Sequence, residues 1–135
     1  MFSTAYRVFD ITLSCIVIPV NNIITKEKDV YKEVLKLHRD WRVIKIDLGV
    51  QIGFPDHIAF KGPEYRVIES KYLRKEALNS IVDDLHFEPG QIPYMYKALK
   101  NKEHYLLFVG KQNFIAIIGD STYVWKSFGD AYVIG

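Results

Sequence analysis

The chain has 135 residues, 49% of them hydrophobic and 25% charged, with a formal net charge of +2. That is the size and composition of one folded domain, and it excludes a disordered chain. The single cysteine excludes an internal disulfide, and so small an excess of cations gives no global electrostatic argument for nucleic acid.

Residues 4–19 are rich in Val, Ile, Tyr and Phe and read as one or two strands. Their apolar run "CIVIPV" is too short to cross a bilayer. Arg7, Asp10 and Pro19 do not fit an export signal. A soluble, cytoplasmic protein with no membrane partner is expected, with Cys15 as a buried structural thiol. "NNIIT" (21–25) reads as a turn ending in a helix cap at Thr25. "KEKDVYKEVLKLHRDW" (26–41) is the clearest helix. Val30, Val34, Leu37 and Trp41 recur on one face, and Glu33 lies beside it.

Three strands are expected next. "RVIKIDLGV" (42–50) alternates, and "QIGFPD" turns into the short strand "HIAF". "KGPE" (61–64) is a hairpin turn before "YRVIESKYL" (65–73). Together they predict an antiparallel meander. Residues 74–85 read as a helix or a loop with helical turns. Residues 88–101 begin with breakers and become helical around Pro93. "HYLLFVG" (104–110), "NFIAIIG" (113–119) and "TYVWKSF" (122–128) read as apolar strands, with "GKQN" a hairpin between the first two. The pattern predicts an α/β domain with a central mixed sheet flanked by helices. Residues 1–25 would be an N-terminal strand extension, 26–118 the core and 119–135 a C-terminal strand.

One stretch puts charge where a core strand should have none. In a strand, residues i and i+2 share a face, so Val67, Glu69 and Lys71 lie together, opposite Arg66, Ile68 and Ser70. A buried acid and lysine need partners. At the mouth of a cleft they make chemical sense, because a carboxylate is a hard ligand for Mg²⁺ or Mn²⁺ and a lysine stabilises charge on a phosphate. Asp56 supplies a second carboxylate across the hairpin, and the main-chain carbonyl of Ser70 falls between Glu69 and Lys71. His38, His57, His86 and His104 show no metal-ligand spacing. Lys71, Arg74 and Lys75 cluster at the site. Lys97 and Lys100 sit on the next helix, where they would track a phosphate backbone, and Tyr94 would stack on bases.

"GFPD", a gap of twelve residues and then "ESK" resembles the signature of the PD-(D/E)XK nuclease superfamily, in particular VRR-NUC domains and Holliday-junction resolvases. The resemblance covers roughly residues 26–118. It implies a restriction-endonuclease-like core: helix, three-stranded meander, helix, strand. It implies a Mg²⁺- or Mn²⁺-dependent nuclease with Asp56 and Glu69 as metal ligands and Lys71 as the catalytic lysine. Glu33 would be an outer metal or water ligand, and Gln91 would position the substrate or Lys71. DNA is favoured over RNA as substrate, and junction resolution would require a homodimer. In one branch of the family a tyrosine follows the glutamine by four residues; here Met95 stands there, flanked by Tyr94 and Tyr96. The competing expectations are a nucleic-acid-binding or assembly module on the same fold, a toxin nuclease acting on tRNA, and a purely structural protein.

Overall fold

The computed structural model describes residues 3–8, 11–46, 55–73 and 90–134, with side-chain surroundings for 13–46, 55–73 and 90–129. In chain order the elements are β1 (Ser3–Val8), β2 (Ile11–Ile24), α1 (Glu27–Leu37), β3 (Arg42–Lys45), β4 (His57–Lys61), β5 (Glu64–Tyr72), α2 (Gln91–Lys100), β6 (Tyr105–Asp120) and α3 (Ser121–Ile134). The expected segments 47–54 and 74–89 lie outside the described residues.

The strands form one mixed sheet in the order β1-β2-β6-β5-β4-β3. β3, β4 and β5 are the expected antiparallel meander. Its second turn is tight: Lys61 pairs with Glu64 across Gly62 and Pro63, and Gly62 takes a φ of 60°, which costs a glycine nothing. β6 then enters parallel to β5 and continues antiparallel to β2.

Each face of the sheet has its own core. On one side α2 contributes Met95, Ala98 and Leu99, packed on Val67, Tyr105, Leu107 and Val109. On the other, α1 and α3 contribute Val30, Val34, Val124 and Phe128, packed on Ile68, Leu106 and Phe108. Full burial of each large apolar side chain contributes about 1.5–3 kcal/mol. Cys15 is in the first core, and burial pushes its thiol up to about 12. No helix among the described residues is long and apolar enough to cross a membrane.

Four expectations need correction. "NNIIT" is not a turn: residues 21–24 continue β2, whose register against β6 shifts between Pro19 and Ile24. Thr25 does not cap α1. Lys26 is the N-cap, and the Thr25 N–H and Oγ1 instead donate to Asp29 Oδ2 at 3.0 and 3.1 Å. "GKQN" is not a hairpin either, for the chain runs straight through it as β6. Gln112 takes a φ of 54°, and the alternation slips by one residue. Tyr105, Leu107 and Val109 face the α2 core before the slip, Ala116 and Ile118 after it. A polar break signals a bulge as readily as a reversal.

The fourth correction concerns 122–128, which is helix, not a C-terminal strand. Its Val, Tyr, Trp and Phe content argued for a strand. Asp120 Oδ1 accepts from the Tyr123 N–H at 3.2 Å and so caps the first turn. Val124 and Phe128, four residues apart, then reach one core together. α1 also stops at Leu37, short of the expected Trp41, which lies one tight turn beyond it.

Candidate active site

The meander's geometry creates the site. The β4–β5 register sets His57 opposite Ile68. One further step sets Asp56 opposite Glu69, and cross-strand neighbours share a face with their side chains about 5 Å apart. Asp56 is fixed there because its carbonyl accepts from the Ile46 N–H at 2.8 Å, extending the β3–β4 pairing. His57 turns to the other face and stacks on Tyr31 with ring centroids 4.1 Å apart.

Glu69 and Lys71 point toward α2 and are buried, at 1% and 7% exposure. The first residue of α2 joins them. Gly90, in the left-handed conformation at a φ of 85°, turns the chain into the helix so that Gln91 begins it. The Lys71 ammonium donates to Gln91 Oε1 at 3.0 Å, and Gln91 Nε2 donates to Glu69 Oε1 at 2.7 Å. Lysine can only donate, so it dictates which way the amide points. Gln91 therefore bridges the acid and the base and ties the helix to the strand.

The second oxygen of Glu69 differs. Oε2 is buried, and no donor among the described residues reaches it; what faces it is the other acid, Asp56. Two carboxylates have no donor between them until one takes a proton. Glu69 is the one that holds it. Burial above all, then a hydrogen bond to Asp56 and the Asp56 charge, raise its pKa far above the carboxylate range, against a smaller pull from Lys71. Glu27 adds to the rise. Tyr105 is raised by its own burial and then by the Glu69–Asp56 acid pair, which places it beside them.

Asp56, Glu69, Lys71 and Gln91 thus come together. Ser70, expected to offer its main-chain carbonyl, lies between two of them; its hydroxyl turns to the opposite face, where Oγ is buried without a hydrogen-bond partner among the described residues. Tyr94 borders the site, its ring 6.3 Å from that of Tyr105. Lys97 and Lys100 are exposed on α2, with Lys100 Nζ 5.5 Å from the Tyr96 ring centroid. Arg74 and Lys75 lie outside the described residues. Glu33 is not brought to the site. It accepts from Lys36 Nζ at 3.2 Å and lines a cavity with Ile18, Pro19 and Val20, against β2. The helix acid that acts on Glu69 is Glu27, in the first turn of α1. Periodicity located the helix but not which end approaches the carboxylates. Acid in the first turn was the available signal, and it has an ordinary explanation in the helix dipole.

Among the described residues no group of three or more His, Cys, Asp and Glu side chains is arranged to hold a metal ion. The Asp56–Glu69 pair is a donor set of two. Hard oxygen ligands, one with an oxygen that faces only the other acid, fit Mg²⁺ or Mn²⁺, which take one or two carboxylates and complete their shells with water and substrate phosphate. No family model, characterised protein or solved structure matches the chain.

Proposed function

We propose that the chain is a metal-dependent nuclease that hydrolyses phosphodiester bonds, with DNA as the favoured substrate. The observation that carries this reading is the buried Glu69 carboxyl set against Asp56 with no other donor on its Oε2, two residues from a lysine held by Gln91. An acid oxygen faced only by a second acid destabilises the apo fold unless a proton or a cation occupies the gap. The order of α1, the meander, α2 and β6, with β5 and β6 parallel, supports a restriction-endonuclease-like core.

When bound, Mg²⁺ or Mn²⁺ supplies Lewis-acid activation of water and of the phosphate. The residues do the rest. Asp56 and Glu69 would hold the ion, Glu69 as its carboxylate. Lys71 faces the substrate phosphate and stabilises the charge that grows on it. Gln91 holds the Lys71 ammonium and the Glu69 carboxyl through one amide, which limits their reorganisation during the reaction. Tyr94, beside Tyr105, and the exposed lysines of α2 would guide the phosphate backbone toward the acids.

Plasmid, single-stranded DNA, RNA and a four-way junction, each with Mg²⁺, Mn²⁺ or chelator, test this. Metal-dependent cleavage is expected, reduced at least about a hundredfold in Glu69→Ala and in Lys71→Ala. No cleavage of any substrate by the parent would remove the reading. A second reading is favoured by the two-acid donor set: a nucleic-acid-binding module in which Gln91, Lys71 and Glu69 serve only to latch α2 to the sheet. It predicts nucleic-acid affinity that neither metal nor the two substitutions change.

A further inference from the structure

The other face of β5 carries a second polar centre that the nuclease reading does not use. Arg66 is 5% exposed, yet no carboxylate forms an ion pair with it among the described residues. Its guanidinium carbon lies 4.1 Å from the Trp41 ring centroid and 5.2 Å from those of Tyr123 and Phe128. Nη1 donates to His38 Nε2 at 3.3 Å, and Nη2 reaches Ser127 Oγ only at 3.5 Å. Nε is buried with no hydrogen-bond partner among the described residues, and the buried Tyr123 hydroxyl faces only the Arg66 guanidinium and Ser127.

Arg66 and Tyr123 both line a cavity of about 380 Å³, together with Lys61, Lys126 and Glu64. That volume lies in the range of small-ligand sites. The Nε and Nη2 edge of a guanidinium is the fork that binds two oxygens of one anion side by side. Three cations against one acid leave an excess of two positive charges on the lining. A phosphate monoester, with about two negative charges, matches that excess, whereas a single carboxylate does not. The aromatic walls exclude water and strengthen the attraction.

We propose that this cavity binds a phosphate monoester, its oxygens held by the Arg66 guanidinium and by Lys61 and Lys126. The site is independent of the Asp56–Glu69 pair, which lies on the opposite face. The monoester comes either from a small molecule or from the phosphorylated end of a nucleic-acid strand.

Side-chain NMR of the intact chain tests this, because Trp41 lies at the cavity and the second tryptophan, Trp125, is absent from its lining. The probes are inorganic phosphate, adenosine 5′-monophosphate, and a short oligonucleotide with either a 5′-phosphate or a 5′-hydroxyl. Saturable movement of the Arg66 Nε–H and Trp41 indole resonances is expected, with Trp125 unmoved. Lys61→Glu and Lys126→Glu change exposed rim residues and leave the fold intact. Each should weaken binding at least about tenfold. Tighter binding of adenosine 5′-monophosphate than of the phosphorylated strand assigns a small molecule, and the reverse order assigns a strand end. Three results would overturn the proposal: no movement with any phosphate probe at millimolar concentration, an equal response to the 5′-hydroxyl strand, or unchanged binding in both rim variants.

Discussion

The two faces of β5 solve the same problem in opposite ways. Glu69 and Lys71 enter the α2 core, while Arg66, three residues from Glu69, enters the α1–α3 core. Each is a charged group in a place that disfavours charge. On the first face the response is chemical: Glu69 takes a proton, and one amide carries the remaining hydrogen bonds between acid and base. On the second face the charge stays. Arg66 is surrounded by aromatic rings and by a histidine that must remain neutral to accept its hydrogen bond. A proton can leave when a cation arrives, so the first arrangement is a switchable site. The second is built around a fixed cation.

Substitution separates the two most sharply. Arg66→Ala removes the cation–π contacts, the packing of the stem and the donor to His38. The loss should be on the order of 3 kcal/mol in denaturant unfolding. Glu69→Gln keeps shape and, because the acid is already neutral, keeps nearly the same charge state. Its stability should change by less than about 1 kcal/mol, while metal-dependent cleavage disappears. Equal stability losses in the two variants would mean that Glu69 is structural in the way Arg66 is.

The pH dependence of stability should also divide by face. His38 is lowered to about 4 from an ordinary 6.5, mainly by burial and then by the Arg66 charge, against the bond its Nδ1–H donates to the Val34 carbonyl at 2.7 Å. A group whose folded pKa is depressed stabilises above its unfolded pKa. That stability is lost as pH falls from 6.5 to about 4, and linkage puts the total at about 3 kcal/mol. Glu69 has the opposite sign. Its folded pKa is raised, so its contribution is complete in acid and is lost as pH rises above the ordinary carboxylate range. Unfolding measured from pH 4 to 9 in chelator should therefore be nearly flat up to about pH 6.5, where the two opposite slopes overlap and cancel, and should fall above it, where only Glu69 still contributes. His38→Gln should turn the flat stretch below pH 6.5 into a fall, and saturating Mg²⁺ should flatten the alkaline limb. An alkaline limb indifferent to Mg²⁺ would argue against metal at Asp56 and Glu69.

How much of this was legible depended on period and distance. The meander and the shared face of Val67, Glu69 and Lys71 follow from a period of two, and a two-residue turn at Gly62 and Pro63 fixes the register that opposes Asp56 to Glu69. The same period placed Arg66 on the far face with Ile68, but nothing local showed that α3 would bring Tyr123 and Phe128 over it, since 122–128 read as a strand. The resemblance implied Glu33, and helix periodicity, which reports a face and not an end, gave no pointer to Glu27. The course of β6 through "GKQN" was hidden because one positive φ at Gln112 and a full reversal draw on the same polar residues.

The smallest expected effect bears on how nucleic acid would approach the first face. Lys97 and Lys100 are exposed on the helix that begins with Gln91, three residues apart and so on neighbouring positions of one surface. If the backbone passes along α2, each lysine neutralises one phosphate. Replacing either by alanine should then weaken DNA binding a few-fold at moderate salt and reduce the slope of log affinity against log salt by about one. Both variants should keep parental cleavage once substrate saturates, because neither lysine belongs to the Lys71–Gln91–Glu69 chain. If the slope is unchanged while affinity falls, the lysines act on the fold or on the helix and not on phosphate. If neither quantity moves, the backbone reaches the acids by another side, and α2 serves the site only through Gln91.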